Sequence, residues 1–534
     1  MPVAPSRRLN RVKQACEPCR RKKSKCPGEQ PACSQCRRLN HPCHYKSDGA
    51  SHRTAQRHTP VRPRQNDGSA TWTARPHEPP LAVDSVVQLL QPAWSDILDT
   101  TSFYLDQIES QPFPLFYRGT FLSTLHCRDT ELIYGLLAVT ARFNPDSGNG
   151  VDIDAKTRVF SQFAFFLVTK RISDGIIELS TLQTLILIAC SDIAAGDLDR
   201  FTLCCSLLGS LASATLVPQQ PSRAQSQQLE EQVRCYWSIA LLQRLYGYTT
   251  PLVEIMDEGG VLKPEIPRLP CTIMSPSDLD GNGGGSIYAE KGILMATTCL
   301  SEGWSRATSY IRARRTGSRD EPIWSLKSDY ARHMSLLMSI GSNIHPVHRF
   351  KAVNLSSRSA EEVNANKEYW SPWFLSRLLY HTTICILNHP LLIMLQLQGH
   401  RTIPELCLQQ TSWLAAYHVN WVSKIFGLLK QKQFRLTDPL VCHCAAIVAT
   451  IELQLSVTTE FSAREEKREA FTRLVDYIRD MATTWPLMER LASHLTSGFN
   501  SILLYPSSSL SDHGSIKVDL SSFWSILEFP NHRS

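Results

Sequence analysis

Six of the chain's 17 cysteines crowd near its start: Cys16, Cys19, Cys26, Cys33, Cys36 and Cys43. Their spacing reads C-x2-C-x6-C-x6-C-x2-C-x6-C, an internal repeat of C-x2-C-x6-C. A C-x2-C pair places two sulfurs on one side of a turn, within reach of a metal at ~2.3 Å. One tetrahedral zinc takes four thiolates and strands two, and two separate zincs need eight. Six thiolates therefore satisfy two Zn²⁺ ions only where two sulfurs bridge. The repeat points to the first cysteine of each half, Cys16 and Cys33, as the shared pair. Such a centre carries a net charge of about −2, which the surrounding lysines and arginines offset.

The residues between the sulfurs say what the metal is for. Cys19 is followed by Arg20-Arg21-Lys22-Lys23-Ser24-Lys25 and then Cys26. Pro18 suits the first turn of a helix, where its missing N–H costs nothing. The sequence thus predicts a short helix from about Pro18 to Ser24 that carries the cations past one zinc. Such a helix fits the major groove, where lysine donates to guanine O6 and N7. A solvated cationic face is the plainer reading, and for Arg20 and Arg21 it stays open. The second half, with Cys36-Arg37-Arg38, is less basic and reads as support for backbone positioning. A segment of about 30 residues cannot fold on its own core, so the metal has to supply the folding energy. A disulfide framework and a zinc module without nucleic-acid contact are the competing readings. The cationic surroundings, and the lack of an apolar signal core in Met1 to Ala15, weigh against the first.

At these residues the chain resembles the zinc binuclear cluster (Zn2Cys6) DNA-binding domain of fungal transcription factors. All five spacings between the six ligands match that family. Arg20, Lys22, Lys23 and Lys25 match its R-x-[RK]-K-x-K stretch before the third cysteine. Pro31, two residues before Cys33, matches the family's turn proline, which the resemblance implies in the cis form. Pro27 is a departure, since many members have Asp there. The resemblance implies two zinc ions bridged by the first and fourth cysteines. It further implies that Lys22 and Lys23 read a CGG-type triplet, with Arg20, Arg21, Lys25, Arg37 and Arg38 as candidate phosphate contacts.

Around this knot lie 534 residues, 43% hydrophobic and 20% charged, enough to bury a sizeable core. The net charge of +7 is unevenly spread. Residues 1–77 hold 17 Lys and Arg against 4 Asp and Glu; the remainder holds 39 against 45. A basic head on a mildly acidic body predicts a polyanionic partner for the head alone. No run of 18 apolar residues exists, so no membrane-spanning helix is expected. Residues 46–80 are rich in Arg, Pro, Ser, Thr, Gln, His and Gly, with Arg53, Arg57, Arg62, Arg64 and Arg75 against Asp48 and Asp67. That composition reads as a flexible basic tether. Many family members carry a coiled coil after the cluster. Here Val83, Val86, Val87, Leu89 and Leu90 offer about two turns before Pro92, short of the three or four heptads required. Monomeric binding and pairing through the C-terminal region both stay open.

From about residue 82 the periodicity is helical. Leu132, Ile133, Leu136, Leu137 and Thr140 follow i, i+3, i+4 spacing, and Ser180 is a candidate N-cap for the apolar run after it. Further helices are expected over 200–216, 229–246, 374–397, 410–430, 439–457 and 464–485, and strand-like alternation is scarce. Several stretches resemble the middle homology region that accompanies these clusters. They are Phe113 to Tyr117 with Phe121, Leu136 to Phe143, Arg234-Cys235-Tyr236-Trp237-Ser238 with Gln243-Arg244, and Leu379-Tyr380-His381 running to His389-Pro390. Gln243 stands where that family usually has Asp. No active site is found. Gly281 to Gly285 lacks the Lys-[Ser/Thr] of a phosphate loop, and Cys442-His443-Cys444 reads as core thiols around a histidine. The tail, with Asp519 to Phe529, reads either as a coactivator-docking segment or as a last helix packed on the body.

The expectation is a basic arm at 1–15, a zinc cluster at 16–45, a basic linker at 46–81, an all-α regulatory domain at 82–504 and a tail at 505–534. The resemblance implies a nuclear, sequence-specific regulator of RNA polymerase II genes, for a metabolic pathway or a secondary-metabolite cluster, acting on double-stranded DNA. A coactivator, a small-molecule effector at the helical body and a second copy of the chain are the further partners left open. A zinc module that binds RNA or protein is the alternative. Tyr45 is the lone aromatic near the cluster, which speaks against stacking on single-stranded RNA.

Overall fold

The structure is a computed structural model that describes residues 15–29, 31–39, 41–44, 91–143, 152–215, 227–246, 292–315, 321–398, 400–458, 461–503 and 520–529. The chain divides into two compact units, Met1–Glu78 and Pro79–Ser534. Most of the basic arm, the linker, the candidate coiled-coil stretch to Leu90, the Gly281 loop and residues 504–519 of the tail lie outside the described residues.

The first unit contains two single-turn helices, α1 (Glu17–Arg21) and α2 (Ser34–Arg38). The second is helical, with no strand among the described residues. Its first half runs α3 (Trp94–Gln107), α4 (Arg118–Thr124), α5 (Thr130–Thr140), α6 (Ile153–Ser173), α7 (Leu179–Ala195), α8 (Leu198–Thr215) and α9 (Gln227–Tyr246). Its second half runs α10 (Ile293–Arg315), α11 (Asp329–Asn343), α12 (Phe350–Val353), α13 (Ala360–Ala365), α14 (Lys367–Leu387), α15 (Pro390–Leu397), α16 (Glu405–Gln431), α17 (Leu440–Thr458), α18 (Phe461–Ala482), α19 (Leu487–Leu503) and α20 (Leu520–Leu527).

One large apolar core joins these helices. α5 packs on α6 and α7, α14 on α10 and α16, and α17 against α18. Four tryptophans, Trp237, Trp304, Trp370 and Trp373, are fully buried. Burying an indole strands its N–H unless it finds an acceptor. Trp304 donates to the Leu245 carbonyl at 3.0 Å and Trp373 to that of His348 at 2.8 Å. The Phe113 to Phe121 stretch feeds the same core, with Phe116 and Phe121 stacked at 4.1 Å. Beside it the Glu109 carboxylate accepts from the Leu115 and Phe116 N–H groups at 2.7 and 2.9 Å, and burial holds its carboxyl up at about 8. Arg128 grips Glu231 through both nitrogens at 2.8 and 2.9 Å, tying the segment after α4 to α9.

Several boundaries differ from the sequence reading. The cap of α7 is Glu178, whose N–H donates to Thr181 Oγ1 at 3.3 Å; the Ser180 hydroxyl turns to Asp129 instead. The helix expected over 374–397 is two helices, because the Pro390 ring has no N–H to continue α14 and instead opens α15 at its first turn. The stretch Lys367–Leu397 is long and apolar enough to cross a membrane by length and composition. Ser, Thr, Arg and His interrupt it, so it holds no unbroken run of 18 apolar residues, and 72% of its most apolar window is buried inside the body.

Candidate metal centre and nucleic-acid interface

The sequence repeat of the first unit is also a repeat of geometry. Cys16 caps the start of α1 and its carbonyl accepts from Arg20 N–H at 3.0 Å; Cys33 caps the start of α2 and its carbonyl accepts from Arg37 N–H at 3.0 Å. Each turn closes in the same way, with Ser24 N–H on the Cys19 carbonyl and His41 N–H on that of Cys36, both at 3.0 Å. The ends are tied where Glu17 N–H meets the His44 carbonyl at 2.9 Å and Ser34 N–H meets Glu29 Oε2 at 2.7 Å. Pro18 lies in the first turn of α1, as its chemistry requires.

These turns drive all six cysteines inward, and only Cys43 is partly open to solvent. Their sulfurs fall into two groups that could each hold a metal ion, Cys16, Cys19, Cys26 and Cys33, and Cys16, Cys33, Cys36 and Cys43. Cys16 and Cys33 belong to both. Tetrahedral zinc with bonds of ~2.3 Å sets its sulfurs about 3.8 Å apart. The separations are 3.6 Å for Cys16–Cys33, 3.7 Å for Cys16–Cys26, 3.7 Å for Cys19–Cys33 and 3.7 Å for Cys16–Cys36. Cys19 and Cys36, one from each group, are 3.8 Å apart. The donor set therefore fits two four-coordinate zinc ions sharing two thiolates.

Backbone donors finish the centre. Cys36 N–H points at Cys33 Sγ at 3.4 Å and Cys33 N–H at Cys43 Sγ at 3.2 Å. The Cys36 N–H holds the Cys33 thiol down at about 6, near the thiolate form a metal takes up. Burial pushes Cys36 up to about 12 and Cys16 higher still. So many sulfurs in one enclosed space ionise together only with cations among them. Among the described residues no other group of His, Cys, Asp and Glu is placed to hold a metal. Cys442 and Cys444 are core thiols, and the buried His443 donates from Nε2 to the Ile526 carbonyl at 2.9 Å.

The cations lie on the outside. Arg20, Arg21, Lys22, Lys23, Lys25, Arg37 and Arg38 are all exposed. The helix beneath them is shorter than the sequence predicts: α1 ends at Arg21, Lys22 is its C-cap, and Lys23 has φ 49°. The reason is metal geometry. The chain has to turn out of the helix at Lys23 for Cys26 to return to the sulfurs of Cys16 and Cys19. Arg20 and Arg21 thus ride on α1, Lys22 and Lys23 crown its C-terminal end, and Lys25 sits on the return towards Cys26. Lys22 Nζ also lies 2.8 Å from His41 Nε2 across the repeat, a contact that local pattern could not reveal. Arg37 reaches back to the Ala32 carbonyl at 3.2 Å and Arg38 to Gln35 Oε1 at 3.2 Å. Gln30, and with it the Gln30–Pro31 bond, lies outside the described residues.

Residues 14–49 match the model of the fungal Zn(2)-Cys(6) binuclear cluster domain. The chain is similar to an uncharacterized transcriptional regulatory protein of Schizosaccharomyces pombe, 46% identical over 55 residues, 10% of this chain and 6% of that protein. It is also similar to a quinic acid utilization activator of Emericella nidulans, 53% identical over 38 residues, 7% of this chain and 5% of that protein. The chain thus spans about a twentieth of the length of the curated relatives it matches. The N-terminal segment is a zinc binuclear cluster domain that binds two zinc ions, and its relatives are fungal transcriptional regulators. A helical body follows it.

Proposed function

We propose that this protein is a DNA-binding transcription regulator that works in the nucleus on RNA polymerase II genes. Its zinc cluster, over 16–45, presents Lys22 and Lys23 to the base edges of a CGG-type triplet in the major groove. Arg20, Arg21, Lys25, Arg37 and Arg38 hold the flanking phosphates. Cys16, Cys19, Cys26, Cys33, Cys36 and Cys43 carry the metals. The observation that carries the reading is the segregation within so small a unit: sulfurs buried in two groups sharing Cys16 and Cys33, and an exposed stretch from Arg20 to Lys25 in which every residue but Ser24 is a cation.

Chemistry supports each role. A lysine ammonium has three donors, so Lys22 keeps two for guanine O6 and N7 while it contacts His41. The left-handed backbone at Lys23 turns the chain out of α1 with the Lys23 side chain exposed, which supports a role for it in contacting DNA. When bound, the zinc ions supply rigidity; the chain's own residues do the reading. The helical body, 82–504, acts as the regulatory domain, answering a small-molecule effector or a partner, and controls genes of a metabolic or secondary-metabolite pathway.

Selection of binding sites from randomised duplex DNA, with RNA as competitor, tests the proposal. The expected result is a CGG-type logo, single or paired, that RNA does not displace. Uniform binding to every duplex, or displacement by RNA, would overturn it.

A further inference from the structure

In the body, α16, the turn after it and α18 enclose a cleft of about 480 Å³. That is the size of a small-molecule site, roughly 300–1,000 Å³. Its floor is apolar and buried: Phe426, Leu429, Phe434, Leu474 and Met481. Around the floor stand Lys430, Arg435 and Arg473, together with Asp476 and Asp480. Arg473 faces Glu469 at 3.5 Å and Asp476 faces Arg479 at 3.5 Å. Arg435 gives one nitrogen to Thr484 Oγ1 at 2.7 Å. Among the described residues, the charges outside any ion pair are then Lys430 and Arg435 against Asp480, a cationic balance.

Three further features gather at the same place. Gly427 lies inside α16 and lines the cleft, yet a Cβ built on it meets no heavy atom within 4 Å. Glycine weakens a helix interior, and no neighbour demands its bareness; what it preserves is the open wall. Gln433, in the turn, lines the cleft with φ 50°, a conformation that non-glycine residues rarely adopt. Tyr477 lines it too, its hydroxyl shut off from solvent with no hydrogen-bond partner, where buried hydroxyls ordinarily have one.

We propose that this cleft binds a small organic anion with an apolar ring, its acid group held by Arg435 and Lys430 and its ring laid beside Gly427 over Phe426 and Leu474. The proposal names the site and ligand class for the effector in the function proposed above and rests on that reading of the body. A guanidinium and an ammonium converge on an anion from two directions, while the apolar floor rewards the ring and discriminates against fully hydrated acids.

Calorimetric titration of the full chain with 1-naphthoate tests it, with neutral 1-naphthalenemethanol as the control. Saturable one-site binding of naphthoate is expected, at least tenfold tighter than the alcohol. Gly427→Leu, which fills the wall, should weaken naphthoate at least tenfold, whereas Gly427→Ala should leave it within about threefold. Arg435→Gln should erase most of the preference over the alcohol. The thermal midpoint of each variant separates lost binding from lost folding. No saturable binding, equal binding of acid and alcohol, or indifference to Gly427→Leu in a folded variant would overturn the site. Duplex selection on the same preparations is scored separately: loss of sequence preference there sinks the transcription reading, and leaves the naphthoate result to stand or fall by itself.

Discussion

At the scale of single residues, Lys23 and Cys33 stand for the two halves of the proposal. Replacing Lys23 with Ala should cost about 1–3 kcal/mol on a cognate duplex and leave the zinc content unchanged. Equal loss on random duplexes, measured by fluorescence anisotropy, would return Lys23 to the phosphate contacts. Cys33→Ala should drop metal content to one zinc or none per chain by atomic absorption, because its sulfur belongs to both groups; two retained zincs would exclude sharing. The ligand spacings were readable in advance because metal valence is arithmetic. The Lys22–His41 contact and the turn at Lys23 were not, since each depends on how the two halves of the repeat face one another.

At the scale of elements, α20 is the informative one. Its Phe523, Ile526 and Leu527 are buried, Phe523 lies 4.9 Å from the His389 ring, and Arg315 pairs with Glu528. Truncating Phe523 to Ala should cost about 3–5 kcal/mol of body stability in urea, with zinc content and duplex preference unmoved; a change below about 0.5 kcal/mol would mean that α20 leaves the body in solution. Sequence alone left two readings for this stretch, because the same alternation of apolar and polar residues serves a docking peptide and a packed helix. What decides is the apolar recess at α17, formed by residues distant in sequence. The long helices were legible from periodicity, whereas the Glu178 cap was hidden by the more usual cap residue, Ser180. The candidate ligand cleft left no pattern in the sequence beyond one unexplained glycine.

At the scale of the whole molecule, the two units have unlike sources of stability. A chelator such as 1,10-phenanthroline should abolish duplex binding and unfold residues 15–44 while the urea midpoint of the body stays within error, since its core contains no metal group among the described residues. Collapse of both transitions together would show that the units fold as one. The body should instead be sensitive to acid. Burial holds His389 down at about 3 and His443 at about 4, so both are neutral in the fold. The unfolded chain, with histidine near 6.5, takes up those protons first. The stability this neutrality represents is present above about 6.5 and is lost as the pH falls towards the folded values, by roughly 2–3 kcal/mol per histidine at a pH of about 4.5. The Glu109 carboxyl, held up at about 8 by burial, shifts stability the other way over the same range, so the check is a comparison: between about pH 7 and 4.5 the urea midpoint of His389→Gln should fall less than that of the parent chain, and equal falls would contradict it. The position of α20 also bears on how the gene tolerates damage. A nonsense codon anywhere between Leu503 and Leu520 would spare every functional group proposed above and still expose the recess over α17, so such an allele should behave as a folding lesion, cleared by proteolysis and rescued by low temperature.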